Sequence, residues 1–392
     1  MTVSEAFNVN STRVLAALLL VHTIGPQSII VLPALTQGYV EQLGMSEANA
    51  GFLTSVEAWG ISIAALSMMY LIRHFSWRLM MRVSLYVMVL ANGLCLLNLP
   101  DAVFYACRFA AGFAGGIIVA VSYAMIGQTE RTQRNFGLAI ALVLVYGAVA
   151  FPAIAYLYKA FGMSGAFGFF ACFAVTGLPF VGALPDRGGS RTQTDTPPEA
   201  PAISESLLAS ACMLLYFIGL MGVWSYFYRF GVRYGLSSES VGYALSISQF
   251  AGVAGAFLVV LFERVMRLSM GLLVGVLGCS IVIAALVFDQ SYASFLVLTL
   301  LFQFAWNMTH PLLLSALARL DETGTVIAYG TGMQFLGMAL GPSIAALLVT
   351  EESLSAVAFM GAFCTALSLA AVLLAIRLHA GRRSNNVEQY SH

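Results

Sequence analysis

The sequence predicts an all-α membrane protein of twelve spanning helices arranged as two six-helix repeats. Three observations carry that reading: an extreme apolar composition, a regular alternation of charge between successive loops, and a similarity between the two halves of the chain. Hydrophobic residues make up 60% of the 392, charged residues 9%, and the mean hydropathy is +0.87. Soluble domains carry roughly a quarter charged residues. A chain this apolar cannot cover a water-facing surface, and lipid is the solvent that suits it.

A spanning helix needs about twenty mostly apolar residues. Runs of that kind fall at 13–37, 48–72, 77–98, 101–127, 134–158, 163–183, 205–229, 237–262, 268–288, 291–316, 324–349 and 353–378. The first run follows a short polar N-terminus. It is too long for a signal-peptide core and has no small-residue cleavage site. Several runs contain Gly and Pro, which spanning helices tolerate because neighbouring helices satisfy the freed backbone groups.

Net charge is zero, but its distribution is not random. With the N-terminus inside, the inner segments hold Arg13, Arg73, Arg78, Arg82, Arg131, Arg134, Arg187, Arg191, Arg264, Arg267, Arg319, Arg377, Arg382 and Arg383, fourteen of the eighteen Lys and Arg. The outer segments hold only Lys159, Arg229 and Arg233, and Arg108 lies within a helix. Acidic residues (Glu41, Glu47, Asp101, Asp289, Glu351, Glu352) sit outside. The positive-inside rule therefore places both termini in the cytoplasm, with the chain in the plasma membrane.

The stretch Asp186–Glu205, DRGGSRTQTDTPPEAPAISE, is polar and rich in Gly, Pro, Ser and Thr, the composition of a flexible linker. It predicts an N-terminal bundle over 1–183, a cytoplasmic linker over 184–204 and a C-terminal bundle with a short tail over 205–392. The halves are alike. Gly44, Ser46, Gly51 and Ser55 match Gly235, Ser237, Gly242 and Ser246 at an offset of 191, and Arg73 falls on Arg264 at the same offset. Gly147 and Pro152 match Gly337 and Pro342 at an offset of 190. Internal repeats in a membrane protein point to a transporter with its site at the repeat interface.

These residues resemble the major facilitator superfamily over the whole chain: six helices, a cytoplasmic linker, six more. MSEANAGFLTSVEAWG is similar to the family's entry into its second helix. Arg108-Phe-Ala-Ala-Gly112-Phe-Ala-Gly115-Gly116 resembles its fourth-helix motif of an Arg followed by spaced glycines. The resemblance implies a role for Arg108 in proton coupling, and a central path lined by helices one, four, seven and ten. Other motifs are eroded. The loop between helices two and three, MMYLIRHFSWRLMMR, keeps basic residues but has Ile72 where the family has Asp, while the second half keeps Glu263-Arg264. Arg73, Glu263 and Arg264 are thus the gating-loop candidates. The drug-antiporter signature on helix five is reduced to Gly147-Ala-Val-Ala-Phe151-Pro152.

A charge at the bilayer centre costs about 2.5–3.5 kcal/mol, so it needs a partner, water or a function. Glu57 lies ten residues into its span, roughly 15 Å deep. Arg108 lies seven residues below Asp101, roughly 10 Å from the outer boundary. Both sit on faces of small residues, which suggests helix–helix contact. They are the candidate proton-coupling pair, against the alternative of a static ion pair that fixes helix packing. Gln303, Asn307 and His310 are spaced as one stripe on the tenth span, with Trp306 beside them. Such a stripe predicts a wet cavity wall. His22 and Gln27 flank Gly25-Pro26, a pair expected to break the first helix. Trp224, with Tyr216, Tyr226 and Tyr228, offers aromatic surface on the seventh span, and Gln249 and Gln334 are polar wall candidates. His22, Gln27, Trp224, Gln249, Gln303, Trp306, Asn307, His310 and Gln334 together form the expected substrate cavity.

Enzyme signatures are absent from the sequence: no HExxH, no GxSxG and no GxxxxGK[ST]. The six cysteines lie singly in apolar runs, which predicts neither a disulfide framework nor a metal site. The expectation is a monomeric secondary transporter of a small organic solute, coupled to protons, without cofactor, nucleic-acid partner or enzymatic activity. A uniporter of the same fold is the alternative, and a non-transporting sensor a more distant one. The presence of Arg108 favours an anionic or polar-aromatic solute.

Overall fold

The computed structural model describes residues 10–72, 74–97, 99–186, 203–262, 267–320 and 325–390. Among them every regular element is helical, and the chain divides into two compact units, Met1–Gln193 and Thr194–His392.

The first unit contains α1 (Thr12–Ile24), α2 (Gln27–Ile30), α3 (Leu32–Glu41), α4 (Glu47–Leu71), α5 (Trp77–Leu94), α6 (Asp101–Gly127), α7 (Thr132–Phe161) and α8 (Met163–Val181). The second contains α9 (Ile203–Arg233), α10 (Ser238–Phe262), α11 (Leu268–Ala285), α12 (Tyr292–Leu320), α13 (Thr325–Leu348) and α14 (Ser355–Tyr390). With α1–α3 taken as one interrupted span, these fourteen helices make the twelve expected. Ten of the helices are individually long and apolar enough to cross a membrane. The remaining two spans have visible reasons to fall short. The first is broken into pieces, and α5 carries Arg78 and Arg82 in its first two turns.

Local chemistry sets the helix starts. Ser46 and Ser76 cap α4 and α5, their hydroxyls accepting from the amides of Asn49 and Leu79 at 3.2 Å. Gly44 (φ 66°) and Gly235 (φ 80°) make the left-handed turns that precede α4 and α10, a conformation that costs glycine little. The first span breaks at Gly25-Pro26 as expected. It also breaks at Val31, which was not expected. Pro33 has no amide hydrogen, so the carbonyl of Ile29 loses its helical partner and the turn tightens. The segment runs on to Glu41 rather than 37, and the last helix continues to Tyr390 rather than 378.

The internal repeat is structural. Glu47, Trp77 and Asp101 open α4, α5 and α6, and Ser238, Leu268 and Tyr292 open α10, α11 and α12, each 191 positions later. Packing within the units matches as well. α4 lies on α6 as α10 lies on α12, α5 on α8 as α11 on α14, and α1 on α8 as α9 on α14.

Candidate functional site

In the first unit the close approach of α4 and α6 positions the charges. A Cβ on Gly112 would come 2.1 Å from the Glu57 carbonyl oxygen, and one on Gly60 would come 2.4 Å from the Phe109 carbonyl oxygen. Only glycine permits these helices to touch. On the same helix, a Cβ on Gly115 would come 2.3 Å from the carbonyl oxygen of Gly25, so the break in the first span is seated against α6. The spaced glycines after Arg108 are therefore the contact face of α6.

Arg108 and Glu57 are buried on that interface, with side-chain exposures of 0% and 2%. Arg108 Nη1 lies 3.8 Å from Glu57 Oε2, close enough for strong attraction but too far for a hydrogen bond. Neither atom has a hydrogen-bond partner, and nor does Arg108 Nε. The other edge of the guanidinium is held firmly. Its Nη2 donates to Asn92 Oδ1 at 2.7 Å, and Asn92 Nδ2 donates to the Met88 carbonyl at 2.7 Å. The Phe167 ring covers the guanidinium face at 4.8 Å, a cation–π contact. Tyr39 and Cys95 lie within electrostatic reach of Arg108, and Tyr146 within reach of Glu57.

His22 and Gln27 are each 1% exposed in the same unit. The His22 ring lies 5.2 Å from that of Tyr123, and its Nδ1 has no partner. Gln27 Nε2 donates to the Phe170 carbonyl at 3.4 Å, leaving Oε1 without a partner. Neither is joined to the Arg108 cluster by a hydrogen bond.

The second unit holds the other candidates. His310 Nε2 and Gln334 Oε1 are 2.9 Å apart, which links α12 to α13. Asn307 Nδ2 donates to the carbonyl and side-chain oxygens of Gln303 at 2.9 and 3.2 Å. Trp306, Asn307, His310 and Gln334 are half-buried, whereas Gln303 is buried. Trp224 stacks on Phe302 at 5.9 Å and meets Trp306 edge-on at 5.7 Å. Phe217 packs edge-on against His310 at 5.2 Å. Gln249 stands apart: it is buried and bonds only the Leu245 carbonyl of its own helix, at 3.2 Å. Arg73, Glu263 and Arg264 lie outside the described residues.

Sequence reasoning missed Asn92, Phe167, Phe217 and Phe302. Asn92 had a usable signal, being an amide within an apolar span; the three Phe residues had none. It also missed a cluster between the start of α9 and the later part of α14, where Glu205 Oε2 meets His379 Nδ1 at 2.9 Å and Arg382 Nη2 at 3.0 Å. At the other end of the linker, Arg78 donates twice to the Leu184 carbonyl, at 2.9 and 2.7 Å.

The first unit thus holds a buried carboxylate–guanidinium pair, and the second a half-buried polar–aromatic wall. The family model described as Major Facilitator Superfamily matches residues 17–342, and the chain belongs to that superfamily. Among solved structures, the fold is shared with the crystal structure of a D-xylose–proton symporter, at a TM-score of 0.73 and 14% identity over 91% of this chain and 96% of that one. It is shared too with a structure from work on substrate recognition in proton-dependent oligopeptide transporters, at 0.71 and 12% over 95% and 100%. A search of curated proteins gave no significant match.

Proposed function

We propose that the chain is a secondary active transporter of a small organic solute, working by alternating access and coupled to protons through Glu57 and Arg108. One observation carries the coupling: a fully buried carboxylate and guanidinium 3.8 Å apart, attracted but not hydrogen-bonded. A tight static pair would close that gap to roughly 2.8 Å. An open pair gives Glu57 a reason to exchange its proton as conformations change, because a proton cancels a buried charge whenever Arg108 moves away. The two structural neighbours named for proton-dependent transport fit this reading, though at their low identity they share only the fold.

Arg108 itself is enclosed, which counts against direct contact with a solute carboxylate. The wall of Trp306, Asn307, His310 and Gln334 is the better solute surface. α13 carries no Asp, Glu, Lys or Arg, and α12 carries only Arg319, near its end. That wall suits a solute with an apolar face and hydrogen-bonding groups rather than a full charge.

The loop charges support an orientation in the plasma membrane with the linker near Thr194 and the C-terminus facing the cytoplasm. Labelling of a single cysteine at either point from outside intact cells would contradict that orientation. The function itself is tested in two stages. A thermal-shift screen of solutes on purified protein finds binders, since a ligand stabilises the fold in proportion to its excess. Proteoliposome uptake of a binder is then measured with and without a pH gradient. Uptake against a concentration gradient only when protons flow supports coupling, and equilibration alone indicates a uniporter.

A further inference from the structure

Asn92 emerges from the geometry as well as from burial. It is 1% exposed, on α5, and both ends of its amide are committed: Oδ1 to Arg108 Nη2 and Nδ2 to the Met88 carbonyl, each at 2.7 Å. The second bond fixes the amide so that its oxygen, rather than its nitrogen, faces the guanidinium. Arg108 is thereby drawn toward α5, while Glu57 waits on α4 with Oε2 unpartnered at 3.8 Å. The helix backbones cannot close the gap, because Gly112 already touches the Glu57 backbone. Closing it therefore falls to the side chains, and Asn92 holds back that of Arg108.

We infer that Asn92 is a positioning residue for proton coupling: by holding Arg108 by one edge, it keeps the Glu57–Arg108 pair open and so keeps Glu57 able to take a proton. This rests on the reading of Glu57 as the proton carrier. Removing the amide leaves Nη2 without an acceptor, a costly state in an apolar interior, and the unpartnered Glu57 carboxylate 3.8 Å away is the anionic group on which the guanidinium can close. Replacing the amide oxygen with a carboxylate does the opposite. It grips Arg108 more strongly and sets a second negative charge near Glu57, and both effects favour the protonated carboxyl there. Two substitutions of similar size therefore act in opposite directions, which a packing role cannot produce.

The test uses the full chain in lipid vesicles and no solute. The probe is dicyclohexylcarbodiimide, which adds to protonated carboxyl groups in apolar surroundings. Its attachment at Glu57 is followed by mass spectrometry at fixed pH, with Glu57→Gln as the blank and melting temperature as the folding control. Asn92→Leu is expected to slow labelling about tenfold and Asn92→Asp to raise it above the wild-type rate, in line with a charge-assisted bond lost or strengthened. Should Asn92→Leu fail to fold, Asn92→Ala provides the same loss of acceptor. Equal responses in the Leu (or Ala) and Asp variants, or none, overturn the role of Asn92 alone. Absence of labelling at Glu57 in the wild type at every pH overturns the proton-carrier reading as well.

Discussion

At matching positions of the two repeats, Glu57 and Arg108 correspond to Ser248 and Thr299, each 191 residues later. The hydroxyls of the second half are satisfied at home: Ser248 donates to the Leu245 carbonyl at 2.8 Å and Thr299 to Leu296 at 2.7 Å. The charges of the first half have no such local remedy and must find each other, Asn92 and Phe167 across helices. The reverse holds along the same helix face. Gly112, Gly115 and Gly116 of α6 correspond to Gln303, Trp306 and Asn307 of α12. Where α6 is smooth and pressed against its neighbours, α12 carries bulky polar and aromatic groups, Gln303 buried and Trp306 and Asn307 half-open. One scaffold thus carries two kinds of interior: a sealed charge pair in the first repeat, and in the second a half-buried wall without Asp, Glu, Lys or Arg.

The largest test of that contrast is to remove the cation. Arg108→Ala strands Glu57 and is expected to cost about 3–5 kcal/mol, whereas Thr299→Ala should cost about 1 kcal/mol or less. Melting temperatures in detergent measure both, and equal losses would erase the distinction between the halves. Glu57→Gln combined with Arg108→Gln should recover most of the stability. Next in size is the seam. Gly112→Ala drives a methyl into the Glu57 backbone at 2.1 Å and should cost about 1–3 kcal/mol. Gly93→Ala, with nothing within 4 Å, should be neutral or slightly stabilising. A neutral Gly112→Ala would mean that α4 and α6 are not tightly seated.

The smallest effect belongs to the wall. Gln334→Leu removes the His310 partner and should cost about 0.5–1.5 kcal/mol. The sharper readout there is access. In a cysteine-free background, Asn307→Cys and His310→Cys should react with water-soluble thiol reagents, while lipid-facing Leu301→Cys should not. If both wall cysteines stay unreactive, the stripe is helix packing.

The spans were legible because hydropathy over some twenty residues records the solvent directly, and the repeat because its turns need glycine at Gly44 and Gly235. The approach of Glu57 to Arg108 was legible from depth and from small-residue faces. What stayed hidden depended on contacts distant in sequence. Nothing local tells Asn92 that it faces Arg108 sixteen residues on, or His310 that its partner is Gln334 rather than Asn307 on its own stripe. The break at Val31 had a local cause in Pro33, but the flanking apolar run disguised it. The solute stays illegible for a physical reason: a wall of neutral hydrogen-bonding groups fits many small molecules about equally well.

The central claim is that Glu57 carries the coupling proton, and proteoliposome transport by Glu57→Gln tests it most directly. The substitution keeps the shape and removes a buried charge, so the protein should fold with a melting temperature near the wild type. For a solute found by thermal shift, it should still exchange that solute across the membrane but lose accumulation driven by a pH gradient. Full gradient-driven accumulation by Glu57→Gln would contradict the account and move the search for the proton carrier to His22 and His310.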